Sequence, residues 1–189
     1  MRKRDLARSA MLLGWSIVAG LLFSTPGLSY DKPSRDQAEK AIRASVYDTM
    51  KAFLTVDVQT FKRRSTQRTL NLVNLVYEAA REDPRFQEEL RTARITNADE
   101  FLRFFLQGMA NQYLQAAPMT PEQAAKRVAT DAGVSFTTDS DARIVVGDSE
   151  FARAKLVAKE WKIDLTEALK KAVLKEVASP EMRARIKSF

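Results

Sequence analysis

The chain has 189 residues, with 31 Lys or Arg against 24 Asp or Glu, and it contains neither cysteine nor histidine. Those two omissions exclude disulfides, thiolate metal sites, lipid attachment through cysteine, and any nucleophile built on a Cys–His or Ser–His pair. The net charge of +7 is unevenly spread: residues 1–29 hold four basic residues and one acidic, so the rest carries about +4, too little to point to nucleic acid. Met1-Arg-Lys-Arg-Asp5 is a basic opening, Ala10–Phe23 is a charge-free apolar run, and Ser24–Ser29 brings a proline and small residues. A run of fourteen residues reaches about 21 Å as a helix, short of the roughly 30 Å apolar core of a bilayer. The pattern predicts a cleavable secretory signal over 1–29, cut before Tyr30, with a retained anchor as the alternative. Export to the periplasm or medium of a bacterium follows, and a cysteine-free domain over 30–189 must then be held by its core alone.

Ser34-Arg-Asp-Gln37 reads as a capping box. Behind it, Ile42, Val46, Met50, Phe53 and Leu54 recur on one helical stripe with Tyr47 alongside. Asp57 caps a short turn through Phe61, and Lys62-Arg-Arg64 leads into a helix over Arg68–Arg81 with Val73, Val76 and Ala80 inward. Asp83-Pro84 starts a short helix that turns Phe86 and Leu90 inward. Asn97-x-x-Glu100 opens the most aromatic helix, which runs to about Leu114. It carries Leu102, Phe105, Leu106, Met109 and Tyr113 at helical spacing, flanked by Phe101 and Phe104. Gly108 inside it costs about 1 kcal/mol against Ala, which predicts close packing there. Thr120-Pro-Glu-Gln123 is a second capping box, and Gly133 reads as the stop of its helix.

After Gly133 the pattern turns to strands. Val134–Thr137 and Arg143–Val146 contain the β-branched and aromatic residues that strands prefer and are separated by Thr138-Asp-Ser-Asp141. After Gly147-Asp-Ser149, Glu150–Val157 is a third strand, with a helix over Phe151–Lys159 as the alternative reading of its Ala and Lys. Trp161, Ile163 and Leu165 alternate with Lys162 and Asp164, which sends Asp164 outward if the apolar residues face in. Thr166 caps a helix carrying Leu169, Val173 and Val177, and Ser179-Pro180 starts the last one. The expectation is one α+β domain. Helices over about 34–132 pack on a curved, cone-like antiparallel sheet of three to four strands over about 134–165, with terminal helices over about 166–189.

Lys159-Glu-Trp-Lys-Ile-Asp-Leu165, the hairpin before it, and Thr55-Val-Asp57 with Phe61 resemble the NTF2-like (SnoaL-like) superfamily. That resemblance implies a sheet wrapped around the long first helix with a pocket between them. The middle helices and the trailing helices exceed that family's usual set. A similar sheet with extra helices occurs in MlaC-type periplasmic lipid-binding proteins, a second resemblance carried by no alignable motif.

Candidate chemistry is sparse. Gly147-Asp-Ser149 resembles the opening of an esterase motif, but its histidine partner does not exist in this chain. Asp139-x-Asp141 resembles a calcium loop, yet Arg143 holds the fifth position and the required glycine is missing. Neither a metal nor a cofactor is expected. Lys62-Arg-Arg64 and Arg183, Arg185 and Lys187 are candidates for lipid headgroup contact, and solvated helix ends otherwise. The ligand candidates are aromatic or soft: Tyr47, Phe101, Phe105, Met109, Tyr113, Phe136 and Trp161, placed between helix and sheet if the resemblance holds, and ordinary core otherwise. The expected function is non-catalytic binding of a hydrophobic small molecule, a lipid or a protein partner in the bacterial envelope. An isomerase or cyclase of the SnoaL-like kind with a carboxylate base is one alternative. An assembly factor docking its terminal helices on a membrane complex is another.

Overall fold

The computed structural model describes residues 34–116, 119–176 and 179–189; the expected signal over 1–29, its cut before Tyr30, and Val177 lie outside the described residues. Among the described residues the chain is α+β, with six helices, then an open four-stranded antiparallel sheet in the order β1-β2-β3-β4, then two trailing helices.

Helix α1 (Arg35–Leu54) buries Ile42, Val46, Met50, Phe53 and Leu54, the stripe its spacing predicts. It closes through Val56 at φ 58, with the Asp57 N–H donating to Ala52 O at 2.8 Å and the Val56 N–H to Phe53 O at 3.3 Å. That left-handed closure is usually given to glycine. The Asp57 carboxylate then accepts the Thr60 N–H at 3.0 Å and starts α2 (Val58–Arg64). Ser65 leaves α2 extended and bridges Ile163 in parallel, while the Thr66 N–H donates to Ile163 O at 3.0 Å. Thr66 also caps α3 (Gln67–Glu82), whose Val73, Val76 and Ala80 are buried.

Asp83 caps α4 (Pro84–Thr92), where Leu90 is buried and Phe86 is half-buried. In front of α5 (Ala98–Ala116) the expected box is shifted. The Asn97 side chain accepts from Asp99 and Glu100 N–H, but the Glu100 carboxylate accepts from the Thr96 N–H and hydroxyl, at 2.6 and 2.8 Å. The capping box of α6 (Pro121–Asp131) forms in full. Gly133 is not that helix's stop. The helix ends at Ala132, in the extended region at φ −66 and ψ 116, and Gly133 is the first residue of β1.

Strands β1 (Gly133–Thr138), β2 (Asp141–Val146), β3 (Ser149–Val157) and β4 (Glu160–Asp164) form a meander. Residues 149–157 are therefore a strand, because Gly147 (φ 62) and the pair Ala158 and Lys159 (φ 50 and 69) supply hairpin turns on both sides. Ala142, Ile144, Ala152, Ala154, Trp161 and Ile163 are the buried face. Helix α1 lies on it: the Ser45 hydroxyl donates to Trp161 O at 2.8 Å. Helix α6 lies on α1, where the Arg43 guanidinium donates to Ala129 O and Thr130 O at 3.0 and 2.9 Å. A cation on those last carbonyls complements the negative helix end.

Asp164 does not face outward into solvent. It is buried, and its Oδ1 accepts the Thr166 N–H at 3.0 Å and the Thr69 hydroxyl at 3.4 Å. Alternation sends it away from Trp161 and Ile163, but α3 covers that side of the strand end. Thr166 is therefore the first residue of α7 (Thr166–Glu176) rather than its cap, and its buried hydroxyl finds no hydrogen-bond partner among the described residues. Ser179 caps α8 (Pro180–Ser188) and accepts the Met182 N–H at 3.3 Å. No helix among the described residues is long and apolar enough to cross a membrane.

Candidate functional site

Helices α3, α4, α5, α7 and α8 enclose an apolar cleft of about 390 Å³. Val76 and Ala80 come from α3, Phe86, Glu89 and Leu90 from α4, and Met182 from α8. Helix α5 gives Phe101, Phe104, Phe105, Gly108, Met109 and Gln112, and α7 gives Ala172, Val173 and Lys175. The cleft follows from local sequence. Phe101 and Leu102 bury one face of α5, which leaves Phe104 exposed and Phe105 and Met109 half-buried along the cleft. Phe104 is 50 % exposed, an unusual state for phenylalanine. Tyr77, Phe101 and Phe105 form a file beneath it, with centroids 5.3 and 6.3 Å apart. The volume falls within the roughly 300–1,000 Å³ typical of small-molecule sites, and the lining is apolar with a few polar groups, as such sites require.

The seven residues expected to contact a ligand are not all in one place. Phe101, Phe105 and Met109 line this cleft. Tyr113, one helical turn further along α5, is 36 % exposed. Phe136 and Trp161 meet edge-on at 6.1 Å on the inner face of the sheet. The Tyr47 hydroxyl donates to Glu122 at 3.1 Å, with Lys51 over its ring. Phe104, Gly108, Lys175 and Glu89 were not among the expected contacts. The close packing predicted at Gly108 is not found: a Cβ added there meets nothing within 4 Å among the described residues.

The basic candidates are mostly engaged. Lys62 pairs with Asp99 at 2.8 Å and Arg64 with Asp48 at 2.7 Å. Arg185 pairs with Glu82, and Arg183 donates to Leu174 O at 2.8 Å. Among the described residues no three His, Cys, Asp or Glu gather to hold a metal ion. Asp139 sits in the β1–β2 turn, where the Thr137 hydroxyl donates to Asp141 O at 3.0 Å.

A second cleft, of about 410 Å³, lies beside the start of α7 and is lined by Asp164 together with Arg68, Arg153 and Lys171. It is charged where the first is apolar. Arg68 is drawn to Glu167 at 3.4 Å and Arg153 to Glu150 at 3.1 Å, so most of its charge is answered within the chain.

Compared with protein-family models, with curated proteins and with solved structures, the chain matches none, so its function must be argued from this geometry.

Proposed function

We propose that this is an exported, non-catalytic protein of the bacterial envelope that holds a hydrophobic ligand in the cleft between α4, α5 and α7. The carrying observation is that Phe104, Phe105 and Met109 border about 390 Å³ of unfilled apolar space on a helix whose neighbouring face, Phe101, Leu102, Leu106 and Ala110, is buried. Leaving such surface uncovered forfeits about 25 cal/mol per Å² of burial, a cost that a ligand would recover. Export is supported by the basic-then-apolar order of residues 1–29.

The test is titration of the purified protein with the uncharged fluorophore N-phenyl-1-naphthylamine, followed by native mass spectrometry of protein taken gently from bacterial envelopes. Saturable fluorescence enhancement that is lost in Phe105→Ala, and a copurifying apolar molecule, are expected. No saturable binding overturns the reading.

One observation favours the carboxylate-base alternative: Asp164 is buried and borders the charged cleft. Against it, Asp164 Oδ1 is already committed to the backbone at the start of α7. Asp164→Asn separates the two, because a side chain that only accepts the Thr166 N–H tolerates the amide whereas a general base does not.

A further inference from the structure

Gly108 stands in the middle of α5, where glycine weakens a helix relative to alanine. Two structural reasons normally retain such a glycine, and neither holds here. Its φ is not positive, and among the described residues an added Cβ meets nothing within 4 Å. It lines the apolar cleft, so the effect of its missing side chain is to keep that space empty. At about 30 Å³ per water-sized group, 390 Å³ accommodates on the order of a dozen non-hydrogen atoms. That is one alkyl chain and not two.

Two charged groups stand among the apolar lining: Lys175 on α7 and Glu89 on α4. Neither makes an ion pair among the described residues, with the other or with any third group, although most of the acidic and basic side chains around them are paired. The Gln112 amide adds a neutral donor and acceptor on the same cleft. A purely anionic head would meet Glu89, and a purely cationic one would meet Lys175. A head carrying both charges satisfies both.

Resting on the proposed function, we infer that the ligand is a single-chain amphiphile with a zwitterionic head, its chain lying over Gly108 and its head between Lys175 and Glu89. Gly108 then sets the depth of the site and the two charges select the head.

Displacement of N-phenyl-1-naphthylamine by chain-matched amphiphiles, each below its micelle concentration, tests this on the purified protein. Dodecylphosphocholine is expected to bind about fivefold more tightly than dodecanoate or dodecyltrimethylammonium, the worth of one exposed ion pair. Lys175→Gln should bring dodecylphosphocholine down to the level of the cation, and Glu89→Gln down to the level of the anion. Gly108→Leu should weaken all three on the order of a hundredfold, because side-chain carbons replace ligand methylenes, while leaving the melting temperature equal or higher. Dioleoylphosphatidylcholine vesicles should displace no dye. Equal or better binding of dodecanoate, displacement by the vesicles, a lower melting temperature for Gly108→Leu, or unchanged binding in that variant would each overturn the inference. Dye binding that no dodecyl amphiphile displaces overturns this inference alone, whereas absence of dye binding overturns the proposed function beneath it.

Discussion

Phe136 and Trp161 stand on the two outermost strands of a four-stranded sheet, yet their rings meet edge-on at 6.1 Å. Two alanines make this contact possible. Phe136 pairs with Ala142, Ala142 with Ala154, and Ala154 with Ile163, so the middle of that row presents only methyl groups. The two rings close over them, and the inner face there is filled by side chains. Ala154, fully buried, has no room to grow. Ala154→Leu should destabilise the fold by about 1–3 kcal/mol through overpacking, read as a lower urea midpoint. An unchanged midpoint would show that the row is loosely packed.

The aromatic residues of the sheet and those of the helical cleft should divide under mutation as they divide in space. Trp161→Ala removes a buried ring and should cost about 3–5 kcal/mol. The same change at half-exposed Phe104 should cost about 0.5 kcal/mol or less while weakening dye binding at the helical cleft. Parallel denaturation and dye titration of both variants check this. Equal loss of dye binding with equal loss of stability would remove the distinction.

The β3–β4 hairpin turns through Ala158 and Lys159 at φ 50 and 69, where residues with a Cβ are disfavoured. Asn-Gly is the sequence that this turn prefers. The double change Ala158→Asn with Lys159→Gly should stabilise by about 1 kcal/mol, raising the melting temperature by about 2–4 °C for a domain of this size. Calorimetry reads it directly.

Four carboxylates at or next to helix starts are held below their ordinary acidity range. The Thr60 N–H lowers Asp57, the Arg85 guanidinium lowers Asp83, the Thr96 N–H lowers Glu100, and Glu181 is lowered by its own backbone N–H and the Ser179 hydroxyl. A lowered folded value means that each binds its proton more weakly folded than unfolded. The stability they contribute is complete above about pH 5 and is lost as pH falls below about 4, the unfolded range of these groups. With no histidine in the chain, urea midpoints should be flat between about pH 5.5 and 7 and drop on the acid side only. Asp83→Asn combined with Glu100→Gln should shallow that drop.

Fold class was legible because it rests on local signals. Asp57, Asp83, Thr120 and Ser179 all start the helices that their sequence context predicts. The misreadings share a cause. Asp164 lies on the outward phase of its strand, and only the arrival of Thr69 from α3 buries it. Gly133 resembles a helix stop until pairing with Val145 claims it for a strand. The helical cleft was half legible. Phe101, Phe105 and Met109 follow from the spacing within α5. Glu89, Lys175 and Met182 join them from three helices whose approach no pattern within any one helix encodes.

The anchoring of α1 sets an order of assembly. Its guanidinium at Arg43 reaches carbonyls 86 and 87 residues further on, and its hydroxyl at Ser45 reaches one 116 residues away. The sheet, by contrast, is a run of hairpins between near neighbours. In a chain that becomes available from its N-terminus, the first described helix can therefore meet the sheet only once Trp161 is present, and the stripe around Ser45 that faces β4 waits until then. A nascent chain stopped before residue 161 should thus present that stripe to whatever binds unfolded polypeptide, and release it once β4 is complete.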